Sequence, residues 1–178
     1  EAAKMGLLNT KQIRRLHQKR DLFFHDAMHK ISSRIVQECM SHGITTIVIG
    51  VNERWKQSVE LGKNTQSFVQ MPFYQLRKMI EYKAERVGIE VISQEESYTS
   101  KADLTAGDHI PTYGVDDERA KFSGTRVERG LYQNKEGNLF NADLIGAGNI
   151  LRKKFPEIFS KITDFSFLQN MKVIQVFS

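Results

Sequence analysis

"ITTIVIGVN", residues 44–52, sets β-branched and apolar side chains on consecutive positions of a short run, the pattern of a parallel strand covered on both faces. "IEVIS", residues 89–93, repeats the pattern, and between them "MPFYQLRKMIEYKAERVG", residues 71–88, carries Phe73, Leu76, Ile80 and Ala84 at helical spacing. Pro72 suits a helix start and Gly88 a helix stop. A strand, a helix and a strand over roughly fifty residues make a right-handed βαβ unit with parallel strands. The fold class is therefore α/β.

Working outward, residues 10–42 keep helical spacing, with Ile13, Leu16, Phe23, Phe24, Ala27, Met28, Ile31, Ile35, Val36 and Cys39 on one stripe and Gly43 as the stop. This is one long helix or two. Its first turns carry Lys11, Arg14, Arg15, Lys19 and Arg20, which serve either as a solvated face or as phosphate contacts. Residues 97–125 are rich in Thr, Gly and Asp without periodicity and read as a surface excursion. "TRVERGLYQNKEGNLFN", residues 125–141, alternates on either side of Asn134-Lys135-Glu136-Gly137, as a hairpin does. "NADLIGAGNILRKKFP", residues 141–156, opens a helix with Asn141 as cap and Asp143 near the positive end of the dipole, and stops at Pro156. The domain reading is a helical segment 1–43, an α/β core 44–156 with an insert at 97–140, and a tail 157–178 whose "MKVIQVF" is a candidate last strand.

The 178 residues suffice for one domain with a core, and 40% apolar with 26% charged residues fits a folded protein rather than a disordered tail. Twenty-six Lys and Arg against 21 Asp and Glu give a charge of +5 and a pI near 9.3, which favours polyanionic partners. A single cysteine, Cys39, excludes an intrachain disulfide and any cysteine-built zinc site, and points to a reducing, cytoplasmic setting. No apolar run approaches the roughly 18 residues a bilayer span needs, so no membrane partner is expected. Position 1 is Glu, and "EAAKMGLLNTKQ" reads as the middle of a longer chain.

In an open α/β sheet, sites gather beyond the carboxyl ends of parallel strands. Two such ends are Gly50-Val51-Asn52 and Gln94-Glu95-Glu96. Two neighbouring glutamates leaving a strand, with Asp143 opening a later helix, could converge on hard divalent cations. Two ions about 4 Å apart would activate water and stabilise the leaving oxygen in phosphodiester hydrolysis. Taken alone, three acids in a chain with 21 are a weak signal, and surface carboxylates with a helix cap account for them as well. His25 and His29, four apart, have zinc spacing but no further ligand. "LTAGDH" and "GAG" lack the lysine spacing of a P-loop.

Together "TIVIGVNERWKQ", "FVQMPFYQLRKMIEYKAERVGIEVISQEESYTSK", "FSGTRVERGLY" and "NADLIGAGNILRK" resemble, in this order, the RuvC-like nuclease region of the OrfB/TnpB transposon-encoded proteins, relatives of the type V CRISPR effectors. The resemblance runs from about Arg14 to Pro156. It implies an RNase H-like (RuvC-type) domain, incomplete at its N-terminal strands, with a long N-terminal helix. For the intact, nucleoid-associated protein it implies guide RNA and DNA as partners and DNA cleavage at a two-ion Mg²⁺ site. The family core uses an aspartate on a first strand, a strand glutamate and an aspartate opening a C-terminal helix. Asp143 matches the last, the first belongs to a strand preceding this chain, and position 50, where many members place the glutamate, is Gly. Glu95 and Glu96 leave the neighbouring strand at a comparable height, so either could supply the relocated ligand, Glu96 being preferred as catalytic and metal-holding residue. The zinc ribbon that many relatives carry after "YTSK" is absent here, lost or replaced by metal-free loop packing.

Arg126 and Arg129 near the hairpin, and Trp55 with Lys56, are candidates to contact the phosphodiester backbone or stack on a base. The resulting expectation is the C-terminal nuclease portion of an RNA-guided DNA endonuclease, inactive as an isolated fragment. The alternatives are a nuclease-inactive nucleic-acid binder, such as a repressor or accessory transposon protein, and a scaffold element built on the N-terminal helix.

Overall fold

A computed structural model of the chain describes residues 11–52, 63–116, 118, 120–171 and 173–176, with the backbone alone over 63–72. The chain divides into two compact units: residues 1–45, 60–90 and 176–178, and residues 46–59 and 91–175.

The first unit is a helix pair. One unbroken helix, α1 (Lys11–Ser41), packs on α2 (Lys63–Glu85). Burial on α1 begins at Ala27 and continues through Met28, Ser32 and Val36, while Ile80, Ala84 and Ile89 are buried after it. The first half of the expected apolar stripe is exposed rather than covered, with Leu16 and Phe23 60% and 62% exposed. The Lys83 ammonium donates to the His29 carbonyl at 2.7 Å and to the Ser32 and Ser33 hydroxyls at 2.7 and 2.8 Å, pinning the helices together. Burial holds the Lys83 pKa below the ordinary lysine value. The helix start expected at Pro72 is corrected: Pro72 lies inside α2, at the cost of one backbone hydrogen bond, because residues 63–71 are helical too.

The second unit holds the sheets. β1 (Thr46–Val51) and β2 (Glu90–Glu95) form a two-stranded sheet. The Glu90 N–H donates to the Thr45 carbonyl and the Glu96 N–H to the Val51 carbonyl, so the strands advance together and are parallel, as the βαβ reading requires. The six residues of β1 are half-buried rather than fully covered, since the sheet has only two strands among the described residues. β3 (Thr125–Glu128), β4 (Leu131–Gln133) and β5 (Leu139–Asn141) form an antiparallel meander, so the expected hairpin gains a third strand. Two glycines allow this: Gly137 at φ 88° closes the expected turn, and Gly130 at φ 82° reverses the chain between β3 and β4.

α3 (Ala142–Lys154) follows β5 directly. The Asn141 Oδ1 accepts from the Asp143 and Leu144 N–H groups at 2.9 and 3.0 Å, a complete N-cap, and Arg152, Lys153 and Lys154 complement the dipole at the far end. Leu104, Tyr132, Phe140, Ala142, Ile145 and Leu168 form the core.

Leu104 shows that the first part of the expected surface excursion enters the core, with Thr99, Ala102, Asp103, Leu104 and Pro111 buried, while most of the described residues in 113–125 stay exposed. Periodicity could not reveal this, because the segment packs through polar side chains rather than a helix face or strand. The Asp103 carboxylate, fully buried, accepts from the N–H groups of Thr105, Ala106 and Lys135 and from the Thr105 hydroxyl. Asn149, also fully buried, donates to the Thr99 and Ala102 carbonyls at 2.9 and 2.7 Å. "MKVIQVF" forms no strand among its described residues. No described helix is long and apolar enough to cross a membrane.

Candidate active site

Glu95 and Glu96 leave β2 with opposite fates. The Glu95 Oε1 accepts the Ser97 N–H at 2.7 Å, and its Oε2 is bound by the Lys153 ammonium. Burial would raise the Glu95 pKa, but the hydrogen bonds from Lys153 and Ser97 outweigh it and hold the carboxyl below the ordinary glutamate value. Glu96 is shifted the other way: burial raises its pKa, and the charge of Glu95 adds to the rise.

The Glu96 side chain fills a particular space. A Cβ built on Gly50 would lie 2.6 Å from the Glu96 Oε2 and 2.7 Å from the Ile150 Cδ1. The carboxylate of the residue that follows β2 thus occupies the volume that a side chain at position 50 of β1 would take. The glycine is what makes room for it.

Asp143 sits in the first turn of α3 with its side chain 75% exposed, 3.8 Å from the Arg126 guanidinium. A surface pair of this kind contributes little to stability, about 0–1 kcal/mol. Ile150, beside Gly50, lies seven residues further along α3, roughly 10 Å in helix rise. Asp143 and Glu96 therefore flank the two halves of one helix. Among the described residues no group of three or more His, Cys, Asp or Glu is gathered into a metal-holding cluster.

The other expected contacts are scattered. Arg14, Arg15 and Lys19 are exposed on α1, and Arg20 pairs with Asp21 at 2.7 Å. Arg126 and Arg129 are exposed on and after β3. Trp55 and Lys56 lie outside the described residues. His25 and His29 meet edge to face at 4.6 Å between ring centroids. Gly148 permits close approach of α3 to the loop that carries Leu104, since a Cβ there would meet the Leu104 Cδ2, and Gly146 faces open space. A cavity of about 590 Å³ is lined by Thr105, Asn134, Lys135, Ile162, Phe165 and Gln169, and none of the three acids reaches it.

Sequence reasoning missed Asn149 and Lys153. Their signal was spacing: Ile145, Asn149 and Lys153 recur every four residues on the face of α3 that carries the core, where a polar side chain must find partners.

Residues 73–150 match the family model of the Cas12f1-like TNB domain. Over that stretch the chain is similar to a domain of the Cas12f1-like proteins. Its fold is similar to a cryo-EM structure of the Cas12f1–sgRNA–target DNA complex, with 21% identity and a TM-score of 0.54 over 85% of this chain. The chain spans 40% of the length of that protein. No curated protein matches it.

Proposed function

We propose that the chain is the C-terminal nuclease portion of a longer RNA-guided DNA endonuclease of TnpB type, with an RNase H-like (RuvC-type) core. Glu96 and Asp143 hold Mg²⁺ together with an aspartate from a strand outside this chain, and guide RNA and DNA are the partners. The observation that carries this reading is the Glu96 carboxylate in the side-chain space of Gly50, the position where many relatives place their strand glutamate. The donors are hard carboxylate oxygens, the kind Mg²⁺ prefers.

Bound there, Mg²⁺ supplies water activation and charge neutralisation for phosphodiester hydrolysis. This chain's own residues do the placing. Asn141 fixes the first turn of α3 and so the backbone of Asp143, Gly50 gives Glu96 its room, and exposed Arg126 and Arg129 offer guanidiniums to phosphates. The test is Mg²⁺-dependent cleavage of guide-matched DNA by the full-length protein. Asp143→Ala and Glu96→Gln are expected to abolish it while leaving DNA binding, and undiminished cleavage by either variant refutes the assignment of that residue.

The second reading is a nuclease-inactive nucleic-acid binder, favoured by the pairing of Asp143 with Arg126. Reading the coding sequence upstream of Glu1 separates them: a strand bearing an aspartate favours the enzyme.

A further inference from the structure

Among the described residues Lys153 is the least exposed lysine that forms an ion pair, its side chain 9% exposed. Its ammonium, on the last turn of α3, has three partners: the Glu95 carboxylate, the Ser97 carbonyl at 3.3 Å and the Pro111 carbonyl at 2.9 Å. Glu95 and Ser97 are the two neighbours of Glu96. One side chain thus grips the chain immediately before and immediately after Glu96, and ties both to the buried Pro111 of the following loop.

We propose that Lys153 is a positioning residue for Glu96: by holding Glu95 and Ser97 on one side, it commits Glu95 to a structural pair and turns Glu96 towards Gly50. The inference rests on the reading of Glu96 as a metal-holding carboxylate. Alternation along an extended chain supplies the geometry, since consecutive side chains point to opposite sides. The side that Glu95 takes is fixed by Lys153, so the side left to Glu96 is fixed as well. α3 contributes to both sides of this choice. Lys153 takes Glu95, while Ile150, three residues earlier, stands against the space Glu96 fills. Metal-holding side chains depend on such supporting contacts, whose removal typically costs about 10–100-fold in metal affinity or activity.

The test compares Lys153→Met, Lys153→Arg and the double variant Glu95→Gln/Lys153→Met in the full-length, guide-loaded protein. Three quantities are read: the Mg²⁺ concentration for half-maximal cleavage, DNA binding in Ca²⁺, and the melting temperature. Lys153→Met is expected to raise the Mg²⁺ requirement about tenfold or more with DNA binding unchanged, and Lys153→Arg, which keeps donors for the same acceptors, to restore most of it. The double variant leaves no buried charge unpaired and so folds even where the single variant does not. It is expected to retain the raised Mg²⁺ requirement, because the chain on either side of Glu96 is no longer held. A wild-type Mg²⁺ requirement in the double variant overturns the proposal, as does loss of DNA binding in step with cleavage, the mark of a merely structural lysine. Glu96→Gln run alongside separates the two readings: if it cleaves normally, the assignment of Glu96 is what fails, whereas if it is inactive and the lysine variants are normal, only the role of Lys153 falls.

Discussion

Replacing Gly50 by alanine tests the site at its narrowest point. The added Cβ would sit 2.6 Å from the Glu96 Oε2 and 2.7 Å from the Ile150 Cδ1, where ordinary contact begins at 3.4 Å. The carboxylate must therefore retreat by about 0.8 Å and the Ile150 methyl by about 0.7 Å. Both obstructing atoms are tips of side chains rather than backbone, so the overpacking cost falls at the low end of the usual range, about 1 kcal/mol, or about 2–4 °C in melting temperature. Metal ligation is far less forgiving, since its distances hold to about 0.2 Å. Gly50→Ala should consequently fold nearly as well as the wild type and raise the Mg²⁺ concentration for half-maximal cleavage by about 10-fold or more. Melting of the 178-residue chain and a Mg²⁺ titration of cleavage by the full-length protein measure the two effects. A variant that melts normally and keeps the wild-type Mg²⁺ requirement would show that the Glu96 carboxylate is not held in that space for a metal.

Asp103→Ala leaves three backbone N–H donors without their acceptor, which should cost about 3 kcal/mol and roughly 6–12 °C by thermal melting. Asn149→Ala loses the bonds to the Thr99 and Ala102 carbonyls, and calorimetry should register a loss of about 2 kcal/mol. Glu95 has a folded pKa below the ordinary 4.5, so its contribution is full above that value and disappears as pH falls through the folded pKa. The deficit of Glu95→Gln against wild type should accordingly shrink in acid melts. Glu96 has the opposite sign: its folded pKa lies above 4.5, so the ionised group opposes folding at neutral pH and ceases to do so as pH falls towards 4.5. Glu96→Gln should melt higher than wild type near neutrality, and an equal or lower melting temperature there would contradict the burial described for it.

What the sequence revealed was what periodicity and caps encode. The βαβ unit, the unbroken α1 and the Asn141 cap follow from spacing and from one short polar side chain. The turn at Gly137 follows from glycine's tolerance of positive φ. Pro72 misled because a preference for first turns is statistical, and a helix already begun upstream can absorb a missing donor. The loop after Lys101 was opaque for a different reason. It is organised by Asp103 and Asn149, whose partners lie on other elements, and a hydrogen bond across dozens of residues leaves no local trace. At the candidate site the two glutamates were visible as residue types, but their division of labour was not. It depends on Lys153, 58 residues from Glu95, and on a glycine that looks like an omission until its neighbour's side chain is seen in the space.

The clip that Asn149 places on the loop has a consequence for how the chain is made. The carbonyls it binds belong to residues synthesised 50 and 47 positions earlier, and the Lys135 N–H that completes Asp103 comes 32 positions after it. At about 5–20 residues per second, the loop waits roughly 3–10 s on the ribosome for the side chain that closes it. Through that interval Leu104, which ends at 2% exposure, has no Ile145 or Ala142 to cover it. The nascent segment is therefore open to proteases and chaperones through that interval, and a chain cut short before Asn149 lacks the side chain that clips the Thr99 and Ala102 carbonyls.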